Sequence, residues 1–347
     1  MSDLSSTSLA PGQAGAGRES PVLEVKHLRT YLYTRWGVTK AVDGVSFHLD
    51  RGETLGIVGE SGSGKSMLAL SLVRLTPEPA SRNEGGQVLL GGRDLLALSE
   101  KQMRAIRGKE ISMILQDPQQ SLNPVFSVGN QLREAIQVHD RTLSGEETHN
   151  RSLTALKSVR VPAPERRLRS FPHQLSGGMK QRIVGAMAMA YQPQVLIADE
   201  PTTALDVTIQ AQYLRLLEDL QERTGVGIIL ITHDFGVIAE SCERVAVMYA
   251  GRIVEQGPVA EIFDNPRHPY TRALLESRPK PGSHKARLQS IGGQPPSLND
   301  LPEGCRFADR CTYAMARCEE EYPPTVVIEG THSAACWRSE EAPWAIH

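Results

Sequence analysis

Gly59-Glu60-Ser61-Gly62-Ser63-Gly64-Lys65-Ser66 has the spacing G-x-x-x-x-G-K-S. Glycines at these positions let a backbone curl until several N–H groups point at one anion, and a helix opening just after them adds its positive end. Lys65 is then a compact charge for the β- and γ-phosphates of a nucleotide, and the Ser66 hydroxyl is a ligand for Mg²⁺. A second group follows at Asp199-Glu200. An acidic pair at the end of a buried strand sits where open α/β sheets bind ligands. Asp199 is expected to hold Mg²⁺, and Glu200 to take a proton from an attacking water.

The elements around these residues fit that role. Thr54–Val58 is a short apolar run that reads as a buried strand feeding the Gly-rich turn, and Met67–Leu75 carries helical apolar spacing. Val22 to Leu28, Ala41–Leu49, Ile111–Leu115, Val195–Ala198 and Gly227–Ile231 also read as strands. Residues 128–170 read as mostly helical, with breaks at Pro162 and Pro164. Ile209, Tyr213, Leu216, Leu217 and Leu220 share one face of a helix that Gly225 ends. Continuous apolar strands alternating with helices predict an α/β fold whose sheet is mostly parallel and covered on both faces.

The chain has 347 residues, enough for two units, and 40% of them are hydrophobic. Lys and Arg number 38 against 40 Asp and Glu, so the net charge is −2 and no nucleic-acid footprint shows. No apolar run approaches the roughly 18–20 residues of a membrane span. Residues 1–20 are rich in Ser, Gly and Ala and read as a disordered leader rather than a secretory signal. Residues 21–263 form the nucleotide unit. Residues 264–347 form a smaller unit, rich in Pro, with four of the five cysteines.

Leu175-Ser176-Gly177-Gly178-Met179-Lys180-Gln181-Arg182 narrows the class. It resembles the signature motif of ATP-binding-cassette (ABC) ATPases and falls between the phosphate loop and the acidic strand, as in that family. The resemblance implies a P-loop NTPase cassette with a mostly parallel core, an antiparallel β subdomain and a helical signature subdomain. It also implies head-to-tail pairing, in which Ser176, Gly177 and Gly178 of one cassette close over ATP held by another. Gln116 resembles the glutamine that senses Mg²⁺ and couples to the partner, Ala204-Leu205-Asp206 the loop that communicates across the dimer, and His233 the switch histidine on the γ-phosphate. The family stacks adenine on an early-strand aromatic. Leu32 aligns there, with Tyr31, Tyr33 and Trp36 nearby, and Tyr33 is favoured.

The tail resembles a subfamily. His268-Pro269-Tyr270-Thr271-Arg272-Ala273-Leu274-Leu275, Ile291-Gly292-Gly293 and the run from Leu301 to Cys311 are similar to segments of the ATPases of oligopeptide, dipeptide and nickel importers. Cys305, Cys311, Cys318 and Cys336 are spaced C-x₅-C-x₆-C-x₁₇-C. Four thiolates in a reducing compartment can bind one metal centre, and the spacing is not that of a zinc ribbon. The resemblance favours a [4Fe–4S] cluster, with zinc as the alternative. It further implies an ATP-hydrolysing, Mg²⁺-dependent subunit at the cytoplasmic face of the membrane that drives uptake of di- or oligopeptides. Its expected partners are a second ATPase subunit (this chain or a related one), two permeases and an extracytoplasmic solute-binding protein. Another solute, such as nickel, glutathione or an oligosaccharide, and a soluble ABC regulator are the alternatives.

Overall fold

The computed structural model describes residues 20–117, 121–203, 205–277 and 291–339. All but the last residue of the expected leader lies outside them. Among the described residues the strands form two sheets. The smaller is antiparallel, in the order Gly37–Leu49, Leu23–Thr34, Ser81–Leu90, Arg93–Asp94. The larger runs Val326–Glu329, His332–Ala334, Arg252–Pro258, Arg244–Tyr249, Thr54–Val58, Gly227–Ile231, Val195–Asp199, Ile111–Ile114. From Arg244–Tyr249 to Ile111–Ile114 its neighbours are parallel, and the rest pair antiparallel.

The parallel strands are apolar throughout because both faces are covered. Val195, Ile197, Ile229 and Ile231 point into a core shared with the smaller sheet and the helix Lys65–Leu72. Leu196, Ala198, Ile228 and Leu230 alternate with them and point into a second core. That core holds Leu132, Leu156 and Ile183 from the central helices and Tyr213, Leu217 and Leu220 from the helix Val207–Thr224. A period of two along each strand thus divides one apolar run between two layers. Gly225, at φ +68°, ends Val207–Thr224 as expected, its N–H donating to the Gln221 carbonyl at 2.7 Å.

Three local readings change. Pro164 opens the helix Pro164–Leu168 instead of breaking one, since proline's missing N–H is not needed in a first turn. The helix after the phosphate loop ends at Leu72, and Leu75 is exposed. Ser81–Leu90, Arg244–Tyr249 and Arg252–Pro258 are strands that the pattern did not single out.

The residues after Asp264 share a core with the cassette. Tyr270 and Phe307 pack on Tyr249, with ring centroids 4.5 and 5.3 Å away, in a cluster that includes Val58, Ile238 and Val247. The hairpin strand His332–Ala334 pairs with Arg252–Pro258. Buried Glu255 accepts the N–H groups of Arg267 (2.6 Å) and His268 (3.0 Å) and lies 2.8 Å from His332 Nε2. Asp43 ties the tail to the smaller sheet. It accepts from the Tyr31 hydroxyl at 2.7 Å, from Arg252 Nε at 3.0 Å and from Arg306. Burial works to raise the Asp43 pKa, but Tyr31 and the two guanidinium groups outweigh it and hold the carboxyl at about 2.

A depressed pKa means that this stabilisation is present above the ordinary aspartate range and fades as pH falls toward 2. Asp43→Asn is expected to lower unfolding stability by about 2 kcal/mol at neutral pH. The gap between variant and parent in urea titrations is expected to close between about pH 4 and pH 2; a gap independent of pH would contradict the ionic origin.

Candidate functional site

The phosphate loop joins the strand Thr54–Val58 to the helix Lys65–Leu72. Its curl depends on contacts that only glycine permits. Gly64 caps the helix at φ +105°, and a Cβ there would collide with the Ala41 carbonyl oxygen. Ser63 N–H donates to the Glu60 carbonyl at 3.2 Å, and Gly251 N–H to the Ser63 carbonyl at 2.8 Å. The Lys65 ammonium turns back beneath the loop, donating to the carbonyls of Gly59 (2.8 Å) and Glu60 (3.0 Å). Burial pushes its pKa down, opposed by the carboxylates of Glu200, Asp199 and Glu60.

Parallel pairing of Val195–Asp199 with Gly227–Ile231 brings the acidic pair to the same sheet edge as the loop. Asp199 is buried, and its Oδ1 has no hydrogen-bond partner. Burial raises its pKa, a hydrogen bond from Ser66 lowers it, and Glu200 raises it further. An orphaned buried oxygen beside the Ser66 hydroxyl is a donor set that suits a hard divalent cation such as Mg²⁺.

Glu200 sits at φ +45°, a strained conformation for a residue with a Cβ. Its N–H donates to the Ile231 carbonyl at 2.9 Å. Its Oε2 accepts from Gln116 Nε2 and Thr203 Oγ1, both at 2.9 Å, and His233 Nδ1 lies 3.4 Å from Oε1. Burial favours the protonated acid, but Thr203, His233 and Lys65 together hold the carboxyl below its usual range. Gln116, the adjacent pair Asp199-Glu200 and His233, from three separate segments, therefore meet near Lys65.

The signature stands elsewhere. Ser176 caps the helix Gly177–Ala188, its side chain accepting from Met179 N–H. With Gly177 and Gly178 it lines a groove edged by Arg160, Arg182 and Asp206. No phosphate-loop residue lines that groove. Asp206 caps Val207–Thr224 by accepting from Ile209 N–H at 3.0 Å; Ala204 lies outside the described residues. Tyr33 is partly exposed, its hydroxyl donating to Glu84 Oε1 at 2.7 Å with the Arg82 guanidinium 4.9 Å from its ring centroid. Trp36 is largely exposed under Arg35.

The expected [4Fe–4S] cluster, with zinc as its alternative, is corrected. Cys305, Cys311, Cys318 and Cys336 do line one apolar pocket, with Phe307 and Trp337. Among the described residues, however, no three His, Cys, Asp or Glu side chains are placed to hold a metal ion together. Burial pushes the Cys305 thiol up to about 11 and the Cys336 thiol up to about 12.

Three contributors were not foreseen: Thr203 on Glu200, and the tail residues Tyr270 and Arg310 on Glu60. Tyr270 accepts from Glu60 N–H at 2.9 Å. Arg310 donates to Glu60 Oε2 at 2.7 Å and Oε1 at 2.9 Å. Thr203 lies three residues after Glu200, so its proximity could have been noticed; the tail contacts span 210 and 250 residues and leave no local signal.

The family model for the ABC transporter matches residues 42–203, and that for the oligopeptide/dipeptide transporter C-terminal region matches residues 254–318. A probable peptide ABC transporter ATP-binding protein of Sinorhizobium fredii is 53% identical over 92% of this chain and 96% of its own length. The oligopeptide transport ATP-binding protein OppD of Bacillus subtilis is 51% identical over 92% of this chain and 89% of its own. Among solved structures, the dimeric bacterial ABC transporter cassette MJ0796 covers 68% of this chain and 98% of its own, with 28% identity and a TM-score of 0.60. Its post-hydrolysis dimer bound to ADP and Pi gives a TM-score of 0.61 at 28% identity, with the same coverage.

Two glycines separate strain from collision. A Cβ on Gly62 (φ +80°) meets nothing within 4 Å, whereas one on Gly64 strikes the Ala41 carbonyl. Gly62→Ala is expected to lower stability by about 1 kcal/mol and Gly64→Ala by about 3 kcal/mol or more in urea unfolding. Equal losses would show that the contact with Ala41 does not shape the loop.

Proposed function

Because this chain belongs to the ATP-binding subunits of ABC transporters and carries the oligopeptide/dipeptide transporter C-terminal region, we propose that it hydrolyses ATP to drive peptide uptake. The observation that carries this reading is the meeting of Lys65, Asp199, Glu200, Gln116 and His233 at one sheet edge while the signature faces a separate groove. Such a site is half built. It binds a nucleotide on the loop and is completed by Ser176, Gly177 and Gly178 of a second cassette.

The residues divide the work by chemistry. The phosphate loop from Gly59 to Ser66, through amides other than that of Glu60, which the Tyr270 hydroxyl takes, and the Lys65 ammonium bind the phosphates, and Tyr33 is the candidate stack for adenine. Ser66 and Asp199, with Gln116, would hold Mg²⁺. When bound, that ion neutralises charge on the phosphate oxygens. Glu200, kept ionised by its neighbours, accepts the proton of the attacking water. His233 orients Glu200 and reaches toward the γ-phosphate. Ser176 of the second cassette presents its helix N-terminus to the same phosphate.

Among the described residues no helix is long and apolar enough to cross a membrane. The subunit is read as peripheral, on the cytoplasmic face, working with two permeases and an extracytoplasmic solute-binding protein. Val125, Phe126 and Val138 are exposed apolar side chains on the helical region that follows Gln116. That surface suits contact with a permease, and movement there reaches Glu200 through Gln116. Residues 21–263 are read as the ATP-binding domain and 264–347 as the transporter-type C-terminal domain.

Glu200→Gln is expected to retain ATP binding and lose at least about 100-fold in hydrolysis; a normal rate would remove its role as base. Lys65→Ala is expected to abolish nucleotide binding. Gly177→Asp is expected to leave Mg-ADP binding by the loop unchanged, measured by calorimetry, while turnover disappears. Turnover persisting with that charge at the helix N-terminus would argue against a shared site.

A further inference from the structure

Glu60 belongs to the phosphate loop, yet the tail holds it at both ends. Its carboxylate takes the two parallel bonds from Arg310, Nη1 to Oε2 at 2.7 Å and Nη2 to Oε1 at 2.9 Å. Its N–H is committed to the Tyr270 hydroxyl at 2.9 Å. Arg310 has little freedom to do anything else. Its side chain is 3% exposed, its Nε donates to the Gly292 carbonyl at 2.8 Å, and its Nη1 also reaches the Tyr249 hydroxyl at 3.2 Å. A paired fork of this kind fixes direction as well as charge.

The pair stands where charge matters. Glu200, Asp199 and Glu60 all act on the Lys65 ammonium, so all three carboxylates lie within electrostatic reach of the group that meets the phosphates. A polyanionic nucleotide entering such a site is repelled by each unpaired carboxylate. Asp199 faces the place suited to a divalent cation. Glu200 is bound by Gln116, Thr203 and His233. Glu60 has a cation of its own, and the cation comes from the tail.

We propose that Arg310 is a positioning residue for the nucleotide, and that through the Arg310–Glu60 pair the C-terminal tail sets the affinity of the phosphate loop. The pair offsets the Glu60 charge and turns that carboxylate toward the tail. Arg306, four residues earlier, braces the same region by binding Asp43 and the Ala250 carbonyl. The strand that carries Asp43 also presents the Ala41 carbonyl against which Gly64 is seated. The inference rests on the reading of the loop as a nucleotide site.

The test is equilibrium binding of Mg-ADP to the full-length protein and its variants. Arg310→Ala is expected to weaken binding about tenfold, or about 1.4 kcal/mol, and more at low ionic strength than at high. Glu60→Gln alone is expected to bind about threefold more tightly than the parent, because it removes the repulsion and leaves the cation. The double variant Glu60→Gln/Arg310→Ala is expected to recover to within about threefold of the parent, a rescue that a purely structural role for Arg310 does not give. In the assembled transporter, Arg310→Ala is expected to raise KM for ATP with kcat nearly unchanged.

The proposal is overturned if Arg310→Ala binds like the parent, if the double variant stays as weak as Arg310→Ala, or if Glu60→Gln alone weakens binding tenfold. Should Arg310→Ala fail to fold, Arg310→Gln, which keeps a polar side chain without the charge, decides: the same weakening of about tenfold is expected, and parent-like binding overturns the proposal. A parent protein that does not bind Mg-ADP at all would instead refute the nucleotide reading itself.

Discussion

The site depends on a buried ammonium. Lys65 lies beneath its own loop, and taking its charge out of water is unfavourable unless other groups replace the solvent. Here the replacements are the carbonyls of Gly59 and Glu60 and the field of three carboxylates. Each must be delivered from a different direction. The carbonyls come from a curled loop, Asp199 and Glu200 from a neighbouring parallel strand, and Glu60 from the loop under the control of the tail. The sheet order is therefore a condition of the chemistry: pairing Gly227–Ile231 between Thr54–Val58 and Val195–Asp199 sets the acidic pair facing the loop.

Charge balance follows from that condition. Before any ligand enters, the carboxylates exceed the single ammonium, and the structure gives each of them a separate answer. Glu200 is hydrogen-bonded into the ionised state, at the expense of a left-handed backbone at φ +45°. Asp199 keeps one buried oxygen without a protein partner. Glu60 is paired with Arg310 across 250 residues. The tail, which sequence composition marks off as a separate unit, is in this way built into the electrostatics of the loop.

The cysteine reading shows where spacing misleads. Four thiols within about thirty residues suggested a metal staple for a segment with too little core. The segment instead borrows core from the cassette, where Tyr270 and Phe307 pack on Tyr249 and Glu255 anchors the backbone of Arg267 and His268. With that burial available, the cysteines serve as apolar lining of a pocket. Whether a segment has its own core depends on what lies beside it, which its composition does not record.

Most of the elements that carry the site, and the chemistry at their ends, were legible in local sequence, whereas the strands Ser81–Leu90, Arg244–Tyr249 and Arg252–Pro258 were not. Local apolar runs, a Gly-rich turn before Lys65 and an acidic pair after a buried strand are short-range patterns, and backbone sterics and burial translate them directly into strand, loop and helix. The tertiary structure alone decided which groups meet. The bonds from Gln116 and His233 to Glu200 join segments 84 and 33 residues apart, and the distance of the signature groove from the loop follows from how the helical region is placed. The grip of Tyr270 and Arg310 on Glu60 is likewise a product of the tail folding back. Such contacts depend on the relative placement of whole elements, set by the sum of many weak packing terms, and no single stretch of residues carries that sum.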